Sequence, residues 1–350
     1  MHLWNQLVVM TAMFSLACSN KCSAGNTYTV DVNNAAAWSI GSGAGADSSV
    51  TYGFEYGSLG IPKAPGVASM NALLMTSNTS ASRPLPQGIT ISPVGLSLTG
   101  DYVIRARVWG NTSMRWTTGS GDYSDFGSTQ MFGVGVGYTG GTLWCAQRDS
   151  FESSVGGGSG TWFASAMEGA IGNRPVYVKD YTAFIGNAGT GANVVRDPSA
   201  YFASVSGTAT AQDSVNPYYQ LAFPGPLVNS VNSGTWALVQ NQELLSGTIK
   251  NGIPGIAWRE YSVARSGTTI TWSIDDVPIA SVSGMSLPLD GATSLTYFDP
   301  YPSVGSSPRL VFALVSSYEI ELVPEPSTYA MALAGLACGG YSMFRRRRVR

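Results

Sequence analysis

The stretch "WREYSVARSGTTITWSIDDVPIASV", residues 258–282, decides how this chain folds. Within it Ile270, Trp272 and Ile274 alternate with Thr269, Thr271 and Ser273. A period of two is what a strand with one buried face requires, because successive side chains point to opposite sides of a sheet. Asp275 and Asp276 then interrupt the run ahead of Val277 to Val282, and two turn-forming residues between such segments mark a β-hairpin. Trp272, set between two isoleucines, reads as core.

The same alternation recurs outward from this segment. In "DYVIRARVWG" Ile104, Ala106 and Val108 share one face, and Arg105, Arg107 and Trp109 share the other. Further strands are predicted at 28–32, 50–56, 130–138, 176–185, 234–239, 256–264, 293–298 and 309–322. In "MFGVGVGY" the glycines 133, 135 and 137 form one face opposite Phe132, Val134, Val136 and Tyr138; that flat face allows close approach by a ligand or a second sheet, and a second sheet is the expectation. No long segment repeats apolar residues at helical spacing. Many short antiparallel strands fit an all-β sandwich or jelly roll. The body, residues 25–322, shows no internal boundary or repeat that would split it.

Composition agrees. The 350 residues include 42 glycines, and only 11% are charged against about 25% in typical soluble domains. Residues 25–323 carry thirteen basic and twenty acidic groups, a net of −7. Such a body repels a phosphate backbone, so nucleic acid is not an expected partner. The four cysteines are Cys18, Cys22, Cys145 and Cys338, and the one histidine is His2. If the N-terminal segment is removed, the body keeps Cys145 alone and no imidazole. That would exclude Ser-His-Asp and Cys-His catalysis, His-ligated zinc and an internal disulfide.

The ends have their own character. "LVVMTAMFSLACS" followed by "CSA" before Gly25 reads as a signal peptide, residues 1–24, cut after Ala24; lipoprotein processing at Cys18 and an uncleaved anchor are the alternatives. At the other end, 323–350, Thr328 to Phe344 is an uncharged run of 17 residues. As a single transmembrane helix it would extend about 25 Å, at the short limit for a hydrocarbon core of about 30 Å. Arg345, Arg346, Arg347 and Arg348 would hold its end on the cytoplasmic side and leave the body outside. Pro324 and Pro326 around Glu325 disfavour helix and make an extended spacer.

The order "VPEPS", apolar span, "RRRR" resembles the PEP-CTERM sorting signal of exported bacterial proteins. The resemblance implies that an exosortase reads Pro324, Glu325 and Pro326 and detaches the tail, leaving the body at the cell surface or in the extracellular matrix; a permanent anchor is the alternative. Residues 258–282, with "YGFEYGSLGIPKAP", "GTWFASAMEG", "YTAFIG" and "YFDPYPSVGSSPRLVFALVSSYEIEL", resemble concanavalin A-like and laminin-G-like sandwiches in such proteins. That fold hosts lectins, glycosidases, lyases and adhesion modules alike.

Candidate chemistry is sparse. Glycosidases need paired carboxylates, and the nearest approach is Glu319 with Glu321 on one face of the last predicted strand; Asp149 with Glu152 and Asp275 with Asp276 read as loop and turn residues. No cofactor is expected, although Asp122 and Asp125 in "SGDYSDFGS" could contribute oxygens to a calcium site. Sugar recognition needs aromatic faces beside hydrogen-bonding groups. Arg105, Arg107 and Trp109, with Trp116 and Tyr123 in the adjoining loop, form the best candidate patch. The sequence therefore points to a non-catalytic glycan-binding or matrix protein, with signal peptidase, exosortase, membrane and extracellular polysaccharide as partners. A carbohydrate-active enzyme and a purely structural envelope protein are the rivals.

Overall fold

A computed structural model describes residues 26–41, 47–77, 79, 87–111, 130–138, 160–167, 180–186, 194–196, 200–205, 207–209, 211–224, 252–284, 289–299, 311–323 and 336. The signal peptide, the strand expected at 234–239, Pro324–Pro326, Arg345–Arg348, Trp116, Tyr123, Asp122, Asp125, Asp149 and Glu152 lie outside these residues. Among the described residues no helix is long and apolar enough to cross a membrane.

The chain forms an all-β sandwich of two antiparallel sheets. The first runs β11 (Tyr201–Phe202), β15 (Val277–Ser283), β14 (Thr269–Ile274), β13 (Trp258–Ser266), β6 (Asp101–Asn111), β17 (Phe312–Val323), β4 (Asn71–Ser77) and β3 (Ser48–Glu55), with β1 (Thr27–Thr29) also on β17. The second runs β10 (Val194–Arg196), β9 (Tyr181–Gly186), β8 (Thr161–Ala166), β7 (Met131–Tyr138), β16 (Ala292–Asp299), β5 (Gln87–Pro93) and β2 (Trp38–Ile40), with β12 (Ala211–Gln212) on β9.

The hairpin read from residues 269–282 is present. Ile270, Trp272 and Ile274 are buried while Thr269, Thr271 and Ser273 are not. Asp275 and Asp276 both adopt positive φ, 50° and 62°, the pairing of a type I′ turn, which matches the twist of the strands it joins and tolerates Asp. The turn is tied back to β13. Asp275 accepts hydrogen bonds from the Glu260 amide at 2.8 Å and from Arg259 at 2.8 Å, and its own amide donates to the Glu260 carbonyl at 2.8 Å.

The two sheets meet through one continuous apolar core. Tyr102, Ile104, Ala106, Val108, Tyr261, Val263 and Trp272 face Ile89, Ile91, Phe132, Val134, Phe163 and Tyr181. Aromatic pairs bridge the gap: Phe132 with Tyr261 at 5.4 Å, Phe163 stacked on Trp272 at 5.4 Å, and Trp38 edge-on to Tyr318 at 5.3 Å. Each fully buried aliphatic or phenyl side chain contributes about 1.5–3 kcal/mol relative to exposure. A bulge in β16 turns Thr293 inward, where its hydroxyl donates to the Gly135 carbonyl at 2.9 Å and also meets the Tyr318 phenol.

One expectation about packing is reversed. In β7 the face that meets the other sheet carries Phe132, Val134 and Val136. The glycine face points away from it. A side chain at Gly133 would start 3.2 Å from the Trp162 ring and 3.0 Å from the Phe163 carbonyl, so the bare backbone there makes room for the indole of the neighbouring strand. Trp162 belongs to a second buried cluster with Met131, Ala164, Phe184 and Phe298.

A short helix, Pro217–Ala222, is the one described α-helix longer than a turn; Asn216 caps it by accepting from the Tyr218 amide, with Pro217 opening the first turn. An Asn-Pro start is a sequence signal for a helix N-terminus, and the alternation-based reading passes over it because six residues are too few to show a period.

Burial pushes the phenols of Tyr102, Tyr181, Tyr219, Tyr261 and Tyr318 well above their ordinary value of 10.0. Tyr181 needs its proton to donate to the Gly252 carbonyl at 2.6 Å, as Tyr102 does toward the Leu289 carbonyl at 3.0 Å. Because these pKa values are raised in the folded chain, their contribution is complete below about pH 10, the unfolded phenol value, and is lost as pH climbs beyond it. Denaturant midpoints should therefore fall steeply above about pH 10. Phenolate absorbance of the native protein should lag behind that of the unfolded chain; coincident titration curves would contradict the burial of these groups.

Candidate functional site

The outer face of the first sheet carries the chemistry, and β6 organises it. This strand lies mid-sheet, paired with β13 from Trp258↔Trp109 to Arg265↔Tyr102 and with β17 from Phe312↔Asn111 to Val323↔Asp101. Its core-facing residues therefore leave Arg105, Arg107 and Trp109 on the opposite side, as the alternation predicts. These three do not share one environment.

Trp109 is buried, 2% exposed. The segment between β3 and β4 folds over that end of the sheet, and Trp109 packs with Tyr56, Ile61, Ala72, Phe312 and Leu314. Trp258, its cross-strand partner, lies 5.8 Å away ring to ring and donates its indole N–H to the Pro62 carbonyl at 2.6 Å. The Tyr56 hydroxyl in turn accepts from the Ala64 amide at 3.1 Å. The expectation that Trp109 offers its ring to a sugar is corrected: the ring is a packing unit under an overlying segment.

Arg105 and Arg107 stay partly open but are held in place. Arg107 pairs with Glu260 of β13 at 2.7 Å. Arg105 pairs with Glu321 of β17 at 2.9 Å and reaches Glu260 at 3.9 Å. The four side chains are 37% (Arg105), 25% (Arg107), 28% (Glu260) and 33% (Glu321) exposed, so each is anchored on one side and available on the other. Glu319 stands directly across from Arg105. The sequence expectation that Glu319 and Glu321 share a face holds, and their neighbours are the guanidiniums of β6.

Hydroxyl side chains surround this array. Ser262 and Ser317 lie opposite Arg105 and Arg107 on the flanking strands, and Thr27 and Thr29 lie opposite Glu321 and Glu319. Toward the sheet edge follow Thr269, Thr271, Ser273, Ser281 and Ser283, with Thr269 and Ser283 hydrogen-bonded at 2.9 Å. Tyr201 on β11, paired with Ser281, ends the row and is 48% exposed. Four strand spacings separate it from β6, about 19 Å.

A guanidinium has five N–H donors and a carboxylate about four acceptor positions. The Arg–Glu bonds consume only part of that capacity. What remains is a paired field of neighbouring donors and acceptors with hydroxyls between them, suited to a broad polyhydroxylated surface. Among the described residues no group of three or more His, Cys, Asp or Glu could hold a metal ion.

No protein-family profile matches the chain, and no curated protein matches it. Among solved structures it is similar to a Bacillus subtilis protein of unknown function with a galectin-like fold, at 6% identity over 85% of this chain and 97% of that one, TM-score 0.40. The carbohydrate recognition domain of Emp47p aligns at 7% identity over 87% of this chain and 99% of that one, TM-score 0.39. The exoplasmic/lumenal domain of VIP36, in its Ca2+/Man-bound form, aligns at 10% identity over 85% and 91%, TM-score 0.38. At such scores the architecture rests on the strand pairing, and the site on its own residues.

Replacing Trp109 with Ala empties a packed position under the overlying segment and should cost about 3–5 kcal/mol. Thermal unfolding would show this as a large drop in Tm. A Trp109→Ala protein that melts like the parent would return the ring to the surface.

Proposed function

We propose that this protein is an exported, non-catalytic glycan-binding or matrix module whose ligand lies on the outer face of the first sheet. The observation that carries the reading is the Arg105–Glu260–Arg107–Glu321 array: fixed, partly exposed hydrogen-bonding groups of both signs, bordered by Ser and Thr. Recognition of sugars depends on many directional hydrogen bonds to hydroxyls, and a field immobilised before binding loses little side-chain entropy when the ligand arrives. Tyr201 supplies the exposed ring at the edge of the face, the part that Trp109 cannot play. The body's residues 25–323 lack histidine, which makes paired carboxylates the foremost acid-base candidates. Glu260 and Glu321 direct theirs at arginines on an open sheet face.

The finer assignment is a concanavalin A-like sandwich within an exported protein carrying a PEP-CTERM tail. Signal peptidase would release residues 1–24, exosortase would act at Pro324–Glu325–Pro326, and Arg345–Arg348 would mark the cytoplasmic end of a transient span. Support comes from the order of motifs in the sequence and from the scarcity of charge in the body. Calcium remains an optional ligand through Asp122 and Asp125.

A glycan array probed with the purified protein, with product analysis, tests the binding role. Arg107→Ala should weaken a positive signal at least tenfold while Tm shifts by only a few degrees, since partly exposed ion pairs are worth about 0–1 kcal/mol. An unchanged signal moves the site elsewhere, and released sugars make the protein an enzyme. Mass spectrometry of the surface-exposed protein should find no peptide containing Phe344 or the following arginines; recovering them would make the tail a permanent anchor.

A further inference from the structure

We infer that this face selects uncharged glycans and rejects acidic ones, a conclusion that rests on the binding role proposed above and names its ligand class. The argument is one of charge accounting across a known register. Along β6 the array contains two cations, Arg105 and Arg107, and the strands on either side bring three anions to the same face: Glu260, Glu319 and Glu321. Arg107 is engaged by Glu260 and Arg105 by Glu321 and Glu260.

A uronate or sulfate group that takes the unused N–H donors must lie within a few ångströms of a carboxylate already paired with that guanidinium, and must either bear its repulsion or displace it. Hydroxyl groups make no such demand. A neutral diol can donate to an outward carboxylate lone pair and accept from an unused guanidinium N–H without breaking either ion pair. The rows beyond, Thr269, Thr271, Ser273, Ser281 and Ser283, add hydroxyls and no further cation. The body around the face reinforces the preference, with seven more acidic than basic groups in residues 25–323, so long-range repulsion opposes a polyanion as it approaches.

The same accounting says how to reverse the selectivity. Glu260→Gln with Glu321→Gln preserves side-chain shape and leaves one acceptor oxygen toward each guanidinium, but changes the array from two cations against three anions to two against one. Both arginines are then freed for an external carboxylate.

The experiment compares matched polymers that differ in charge: galactan with polygalacturonate, and mannan with polymannuronate, each at about 0.05 and about 0.5 M salt, where screening lengths differ several-fold. The wild-type protein should retain a neutral member at both salt concentrations and bind its uronate partner at least tenfold more weakly. The E260Q/E321Q protein should gain at least tenfold for a uronate polymer at low salt, and lose that gain at high salt. Glu319→Gln, which removes one charge opposite Arg105 without touching a mapped ion pair, should give a smaller gain in the same direction and serves if the double variant does not fold. Tighter binding of a uronate polymer by the wild type overturns the charge selectivity and leaves glycan binding standing. Failure of the wild type to bind neutral or acidic polymers, or any glycan of the array, overturns both readings.

Discussion

The pairing of β6 along both its edges is the constraint from which the rest of the molecule follows. Eleven consecutive residues, Asp101–Asn111, pair with β17, and eight of them, Tyr102 to Trp109, pair with β13 as well. Every second side chain is therefore committed to the core, and a shift of one residue would exchange Ile104, Ala106 and Val108 for two arginines. Burying unpaired guanidiniums would cost several kcal/mol each, so the register is determined as much by what cannot go inside as by what does. The outer field of charge is a consequence of that choice. Two arginines held near the middle of a broad sheet find their counter-ions on the adjacent strands.

Those counter-ions come from far along the chain. Glu260 lies 153 residues from Arg107, and Glu321 lies 216 residues from Arg105. The sequence shows that each acid stands on an alternating strand, and even which acids share a face on the last one. It does not show which strands are neighbours. That distance explains why the arginines read as free ligand-binding groups although they are shared with Glu260 and Glu321. The fate of Trp109 has a similar origin. Alternation assigns it correctly to the outer face, but its burial is imposed by Tyr56, Ile61 and the rest of a non-strand segment, which has no periodicity to read.

Local chemistry was more legible. The hairpin of β14 and β15, with its Asp275–Asp276 turn, follows from a period of two and from residues that tolerate positive φ; both are properties of neighbours in sequence. The all-β class follows from the same pattern repeated. In β7 the two faces were separated correctly and their destinations interchanged, because glycine permits close approach by whatever lies next to it. Here that is the Trp162 ring on the adjoining strand, while Phe132, Val134 and Val136 provide the larger apolar surface and take the interior.

The two ends of the described body add a geometric consequence. Leu322 donates its amide hydrogen bond to the Asn26 carbonyl at 3.0 Å, and β1 pairs antiparallel with the end of β17. The chain thus enters and leaves the sandwich at one place. Glu321 is two residues from Val323, a separation of about 7 Å along a strand, so the charged array begins close to that end and extends across the sheet toward Tyr201. From there β17, β6, β13, β14 and β15 follow in turn across the sheet, the alternating charges first and the hydroxyl rows afterward. The breadth of the sheet, which the core requires for burial, is also what sets the charges and the hydroxyls side by side on one face.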